Sequence, residues 1–352
     1  MGKLSVIIPF YKGKDYIENT VSCIMNLTCD FEVIIVDDGS PDNGYNYCKE
    51  IFQHTSNIEV VKKENGGVAS ARNYGMKIAT GDYILFVDQD DSIDPENIST
   101  VVRLLDDNPE VDIVQYSTDV GCDEKRISCD QVYVEGIVSS KEVKNKIIPS
   151  MLMCEPCEWV SYTGHLWAIV FRYKFISKNL LTFKYFIDYE DDYLFVFDAL
   201  CKCNLVYYYK STGYHWNENL NSYSYNAKSI NDYIVRADKR DAYLKEKATG
   251  IVDEKLLDSL LIYMTQKTII DSFLNCCNNG IINHEALNNI ILYLKKSNYH
   301  SAAYKEKILI RDHRYRFMLY VLRLFRVRVT AVAFKLYGIS KQWRQSRDRK
   351  SM

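Results

Sequence analysis

Tyr83-Ile84-Leu85-Phe86-Val87-Asp88-Gln89-Asp90-Asp91 is an apolar run of strand length that ends in three carboxylates within four residues. A stretch apolar at successive positions suits a strand covered on both faces, as in the middle of a parallel sheet. The acids then project from its carboxyl end, the edge at which open α/β sheets bind ligands. Carboxylates crowded at such an edge repel one another. A divalent cation that itself holds a phosphate would offset that repulsion.

The flanking sequence supplies the rest of such a sheet. Leu4–Pro9, Phe31–Val36, Ile58–Val61 and Val111–Tyr116 read as further strands. Asp15–Leu27, a segment opening after Asp37-Asp38-Gly39-Ser40-Pro41-Asp42, Ala69–Ala79 and a helix from Asp94-Pro95-Glu96 to Leu105 lie between them. This alternation predicts a mostly parallel α/β sheet with helices on both faces. Beyond about residue 120 the pattern is mixed, with strands expected at Gln131–Val134 and Leu205–Tyr209 and a second acidic cluster at Glu190-Asp191-Asp192. From Ala227 onward the signal is mainly helical, with turns near Gly250 and Gly280. The expected organisation is one α/β domain over residues 1–225, with halves 1–120 and 121–225, followed by a helical region over 226–352.

Charge is unevenly spread. The net charge is −2, yet residues 311–350 carry twelve Lys or Arg against two Asp, so the remainder is strongly acidic. Arg316, Arg323, Arg326, Arg328 and Lys335 interleave with apolar residues there. That pattern suits either peripheral contact with an anionic membrane surface or a helix packed on the domain with its basic side solvated. No motif supports a nucleic-acid partner. Eleven cysteines without a secretory leader pattern predict reduced thiols in the cytosol. Cys154-Glu155-Pro156-Cys157 is a lone pair, and Cys201/Cys203 has the wrong spacing to complete a zinc site, so buried thiols are expected.

Three features fall at the carboxyl ends of consecutive predicted strands: Asp37-Asp38, the stretch Glu64 to Asn73 with Gly66-Gly67 and Arg72, and the acids Asp88, Asp90 and Asp91. Singly, each is commonly a turn or a helix cap. Together they line one crevice, with carboxylates for ribose hydroxyls and a metal, a Gly-Gly turn that admits a ligand close to backbone, and an Arg near a phosphate-favouring helix start. His215 follows a late strand and is a candidate metal ligand, although a histidine between Tyr214 and Trp216 is more often a packed residue. Trp167 and Tyr162 suit stacking on a sugar face or burial in a core.

These segments carry a resemblance. Val6-Ile7-Ile8-Pro9-Phe10-Tyr11, Val36-Asp37-Asp38-Gly39-Ser40, Asn65-Gly66-Gly67 with Ala71-Arg72-Asn73-Tyr74-Gly75, and Phe86-Val87-Asp88-Gln89-Asp90-Asp91 resemble family 2 glycosyltransferases over residues 4–115. Trp167–Arg172 and Tyr189-Glu190-Asp191 are similar to later motifs of that family. The resemblance implies a GT-A fold, a nucleotide-diphosphate sugar donor, Mn²⁺ or Mg²⁺, and inversion at the anomeric carbon. It implies that Asp38 contacts the base, Asp88 the ribose or its neighbourhood, and Asp90 the metal on the diphosphate; Pro9, Tyr11, Asn65, Gly66, Arg72 and Gln89 are further candidate donor contacts, and His215 a second candidate at the metal. It implies Asp191 as base, with Glu190 beside it a further catalytic candidate; Trp167 and Asp192 are candidate acceptor contacts. Lys12-Gly13-Lys14 departs from the family, which often has Asn and then an acidic residue there.

The expected activity is transfer of a sugar, a UDP-sugar by preference, to a hydroxyl of a glycan or lipid-linked acceptor in cell-surface polysaccharide synthesis. The expected location is the cytoplasm, with peripheral contact at the inner face of the cell membrane through 311–350. A sugar-1-phosphate nucleotidyltransferase is the rival enzyme, but it would want a Gly-rich basic loop after the first strand, where Pro9-Phe10-Tyr11-Lys12 stands. A non-catalytic sugar-nucleotide-binding subunit is the rival of another class, and the two acidic clusters argue against it. A dinucleotide dehydrogenase lacks its G-x-G-x-x-G.

Overall fold

The computed structural model describes residues 2–122, 125–129, 134–152, 165–185, 190–217, 230–276, 284–310, 316–324, 327 and 329–332. Cys154, Cys157, Tyr162, Gly280, most of the Gln131–Val134 segment, and Arg326, Arg328 and Lys335 lie outside these residues. The chain divides into two compact units, residues 1–151 with 159–222 and residues 152–158 with 223–352.

The first unit is built on a ten-stranded sheet. Its order along the main path is β3 (Ile58–Lys62), β2 (Phe31–Asp37), β1 (Leu4–Phe10), β4 (Tyr83–Phe86), β9 (Ile169–Arg172), β6 (Ile113–Cys122), β10 (Leu205–Asn217) and β5 (Ser92–Ile93). β7 (Lys125–Cys129) pairs with β6, and β8 (Gly136–Ser139) pairs with β10. Strands β3, β2, β1 and β4 are mutually parallel, and β6 and β10 are parallel to each other. β9 runs antiparallel to both of its neighbours, so the strands it joins point the same way.

β1 is buried at every position and forms the axis of the sheet. It lies between β2 and β4, so the strand order reverses on it, the place where such sheets open a ligand crevice. The Val87 N–H still donates to the Ile7 carbonyl on the β4 side. Two residues further along that edge stands Pro9, which has no N–H to offer, and the β1–β4 ladder does not extend to it.

Helices cover the sheet: α1 (Ile17–Ile24), α2 (Gly44–Phe52), α3 (Val68–Ile78) and α4 (Pro95–Asp107). α4 starts as its sequence dictates, with Pro95 at the first turn and the Asp94 carboxylate accepting the Asn97 N–H at 2.8 Å. After β8 come α5 (Ser140–Glu142), a π turn at Val143–Ile147 and α6 (Ile148–Leu152). α7 (Tyr173–Lys178) and α8 (Asp191–Lys202) follow β9. Phe183 stacks on Phe195 of α8 at 4.2 Å, and Phe86 of β4 meets both edge-on at 5.2 and 5.9 Å. This aromatic cluster docks α8 against β4, which brings the second acidic cluster to the end of the first.

The second unit contains α9 (Ile230–Ala248), α10 (Glu254–Cys276), α11 (His284–Tyr293), α12 (Ser297–Tyr304) and further helical residues at 316–324. Gln266 is fully buried in α10, where its amide reaches the carbonyls of Ala302 and Lys307 and accepts the Leu309 N–H. Among the described residues no helix is long and apolar enough to cross a membrane.

Candidate active site

Asp37 ends β2 with its carboxylate accepting the Ser40 N–H at 3.2 Å. Asp38 follows and is almost fully buried. Its carboxylate takes the Lys63 ammonium at 2.5 Å, the Gly67 N–H at 2.7 Å and the Gly66 N–H at 3.0 Å. The Gly-Gly turn before α3 thus spends its amides on Asp38. Asn65 closes the same knot by donating its side-chain amide to the Asp38 carbonyl at 2.9 Å.

Arg72 lies one turn into α3 and is only 5% exposed. Its Nη2 donates to Asp88 at 2.9 Å and its Nη1 to Asp191 at 3.1 Å, with the Phe183 ring 5.5 Å beneath the guanidinium. Sequence alone places this arginine near a phosphate. In the structure its guanidinium pairs with two carboxylates from clusters about a hundred residues apart, and so joins them. Burial of so basic a group is tolerated because both partners are acids.

The three carboxylates after β4 are not equivalent. Asp88 keeps 34% of its side chain exposed beside Arg72. Asp90 is half-buried, and its carbonyl accepts the Asn217 side-chain amide at 2.9 Å. Asp91 is buried, with its carboxylate accepting the Tyr214 hydroxyl at 2.6 Å and the Asn217 N–H at 2.8 Å. Burial, then the charges of Asp88 and Asp90, hold Asp91 well above the usual carboxylate range. Tyr214 also receives the Asp88 N–H at 3.2 Å. The end of β10 therefore moulds the acidic loop, a role that Tyr214 and Asn217 gave no sign of in sequence.

Gln89 pairs its amide with the backbone of Tyr11, so both are placed beside the crevice. His215 lies in register with Ser92 of β5, two residues from Asp90, and its Nδ1 is 2.8 Å from the Asp119 carboxylate. Among the described residues no group of three or more His, Cys, Asp or Glu side chains is arranged to hold a metal.

At the start of α8, Glu190 is half-buried at the helix cap. Asp191 is 3% exposed and held by Arg72. Asp192 is half-buried, with one oxygen accepting the Tyr193 N–H at 2.7 Å. Burial raises both carboxyls, that of Asp191 against the pull of Arg72. Burial, with the charge of Asp191 added to it, pushes Asp192 up to about 7.

Trp167 corrects the sequence reading. The ring is 8% exposed and stacked on His165 at 4.3 Å and on Tyr214 at 4.8 Å. It belongs to the core beneath the acidic loop and has no open face for a sugar.

Residues 5–161 match the family model described as Glycosyl transferase family 2. The chain is 44% identical over 115 residues to the minor teichoic acid biosynthesis protein GgaB of Bacillus subtilis, covering 31% of this chain and 13% of that one. It is 28% identical over 222 residues to EpsJ, an uncharacterized glycosyltransferase of B. subtilis, covering 62% of each. The chain thus spans less than two thirds of either relative. Among solved structures, S. aureus TarS 1–349 superposes with a TM-score of 0.63 at 18% identity, covering 98% of this chain and 92% of that one. The same TarS fragment in complex with UDP gives 0.62 at 19% identity, again covering 98% and 92%. These likenesses establish the GT-A fold, with its mixed α/β, mostly parallel sheet and helical C-terminal extension.

Proposed function

We infer, from the premise that residues 5–161 belong to glycosyl transferase family 2, that this chain moves a sugar from a nucleotide diphosphate to an acceptor hydroxyl with inversion. The observation that carries the reading is the double ion pair of Arg72, which makes one site of the Asp88 and Asp191 clusters. UDP is the favoured nucleotide because the fold matches a TarS fragment in complex with it. A cell-surface polymer is the favoured acceptor class because GgaB is a teichoic acid biosynthesis protein.

The donor lies across the carboxyl ends of β2, β1 and β4. Asp38 supports this crevice through the Gly66-Gly67 turn, and Tyr11 forms its rim. The residues present fit a hard cation: the available donors are carboxylate oxygens, with Asp90 half-open to solvent. Asp90 would hold Mn²⁺ or Mg²⁺ together with phosphate oxygens of the donor, and His215 is the second candidate. A cation bound there supplies a Lewis acid that offsets charge growing on the departing diphosphate.

The attacking hydroxyl needs a proton acceptor. The Asp191–Asp192 pair serves, because two adjacent acids in a desolvated setting share their titration. Arg72 fixes Asp191 in place, and Asp192 is tuned near neutrality, where a general base works best. Glu190 stands at the N-cap position of the helix that presents the pair.

A thermal-shift screen of nucleotide sugars with and without Mn²⁺ tests the reading. A donor that binds only the folded chain raises the melting midpoint, and the rise should need the metal. No shift with any donor would overturn it.

The basic region adds a proposal about place. Helical residues 316–324 bury Met318, Leu319 and Leu322 yet leave Phe317 59% and Leu324 74% exposed. Arg323 does not belong to a solvated stripe, since it donates to the carbonyls of Ala303 and Glu306. Exposed apolar side chains within a segment of high positive charge suit the anionic inner surface of a cell membrane. Flotation on anionic vesicles should be lost in the 1–310 truncation; equal flotation removes the idea.

A further inference from the structure

Lys12-Gly13-Lys14 departs from the pattern common in family 2 glycosyltransferases, and the structure gives that departure a partner. The Tyr11 N–H donates to Gln89 Oε1 at 2.9 Å, and Gln89 Nε2 donates to the Tyr11 carbonyl at 3.1 Å. One amide side chain thereby copies the paired bonds that two strands exchange. The bracket stands where the β1–β4 ladder has ended, so it continues the join between the two strands into their loops.

Gly13 makes the bracket possible. A Cβ at that position would lie 2.2 Å from Gln89 Oε1 and 2.4 Å from its Cδ. Lys12, between Tyr11 and Gly13, holds φ at +54, a left-handed conformation that a side chain disfavours. Its N–H donates to Ser40 Oγ at 3.1 Å. The loop after β1 is therefore tied on one side to the Asp37–Ser40 turn and on the other to the acidic loop.

We propose that Gln89 is a positioning residue that locks the loop after β1 onto the metal-binding loop after β4, with Gly13 as the space that admits it. The proposal rests on reading this crevice as a nucleotide-sugar site. Tyr11 engages both ends of the Gln89 amide, so the side chain is held by the loop after β1. It acts by keeping the two loops in one arrangement before the nucleotide arrives. A loop freed from the bracket must be ordered during binding, and that cost weakens affinity without touching the chemistry. The expected signature is a higher KM for donor at unchanged kcat.

The test is calorimetric titration of UDP, in saturating Mn²⁺, into the full chain and three variants: Gln89→Ala, Gly13→Ala and the two combined. In Gly13→Ala the atoms nearest the new methyl are the end of the flexible Gln89 side chain, so Gln89 swings away and the fold stays, which an unchanged melting midpoint verifies. Each single variant should weaken UDP by about tenfold, and the double variant by no more than either, since both remove one interaction. Donor KM should rise in step, with kcat within about twofold of wild type. Independent effects that multiply to about 100-fold in the double variant overturn the proposal. So does wild-type affinity in Gln89→Ala, or a fall in kcat at constant KM. A wild-type chain that binds neither UDP nor another nucleoside diphosphate overturns the nucleotide-site reading itself, and the proposal with it.

Discussion

The two acidic clusters place carboxylates in different surroundings, and the surroundings give those carboxylates different properties. The cluster after β4 is rooted in hydrogen bonds: Tyr214 and Asn217 bind Asp91, and Arg72 pairs with Asp88. Asp90, half-buried, is the member proposed to hold a cation. The cluster at the start of α8 is rooted in one arginine, and its second aspartate is left with a proton affinity near neutrality. On the proposed reading, position within a cluster, rather than the presence of a carboxylate, sets which acid would bind metal and which would take a proton.

The sharpest way to break that comparison is to remove one acid from each cluster. Asp90→Ala should lower transfer by roughly 10³-fold, as several kcal/mol of charge stabilisation disappears. Asp191→Asn should lower it by about 10²- to 10⁴-fold. The two should part in equilibrium dialysis with UDP and Mn²⁺: nucleotide binding collapses in the first and is largely kept in the second. Equal loss of nucleotide in both would merge the roles that the geometry separates.

The next effect concerns pH. Asp192 must be ionised to accept a proton, and its carboxyl is raised to about 7 by burial and by Asp191. Transfer at low substrate should therefore fall as pH drops through about 7. Asp192→Asn should flatten that acid limb, and a limb of unchanged position in the variant would assign it to another group.

A smaller effect tests the support beneath the first cluster. Tyr214→Phe leaves the buried Asp91 carboxylate one donor short, which should cost about 1–3 kcal/mol in urea unfolding. A change within error would mean that Asn217 suffices.

The smallest effect belongs to a carboxylate outside both clusters. Glu32 is partly buried, which alone would raise it, but Lys3, Ser5 and Thr80 hydrogen-bond it and bring it down to about 2. A folded-state value below the unfolded one contributes stability at neutral pH that fades as pH falls from about 4.5 towards 2. Glu32→Gln should lose that part of the acid slope of the melting midpoint. An unchanged slope would place the acid sensitivity elsewhere, for instance in the clusters.

Much of this architecture was legible in sequence because it is local. The continuous apolar runs announce β1, β2 and β4, and Asp94-Pro95 announces the start of α4. Acids at strand ends announce the crevice. The rest depends on partners distant in sequence. β9 is four residues long, and nothing in Ile169–Arg172 reveals that it inserts antiparallel between β4 and β6. Trp167 reads equally as a sugar platform or a core residue until Tyr214 and His165 are seen against it. The strand pattern in the sequence ends at Tyr209, but register shifts near Thr212 carry β10 on to Asn217 and so bring Tyr214 and Asn217 to the acidic loop. Arg72 was visible as a charge beside a helix start, whereas its second partner comes from α8.

The most direct measurement is electron paramagnetic resonance of Mn²⁺ in the presence of UDP. The wild-type chain should remove the signal of free Mn²⁺ only when UDP is added, Asp90→Asn should fail to do so, and Asp191→Asn should behave as wild type. Uptake by Asp90→Asn equal to that of wild type would contradict the account.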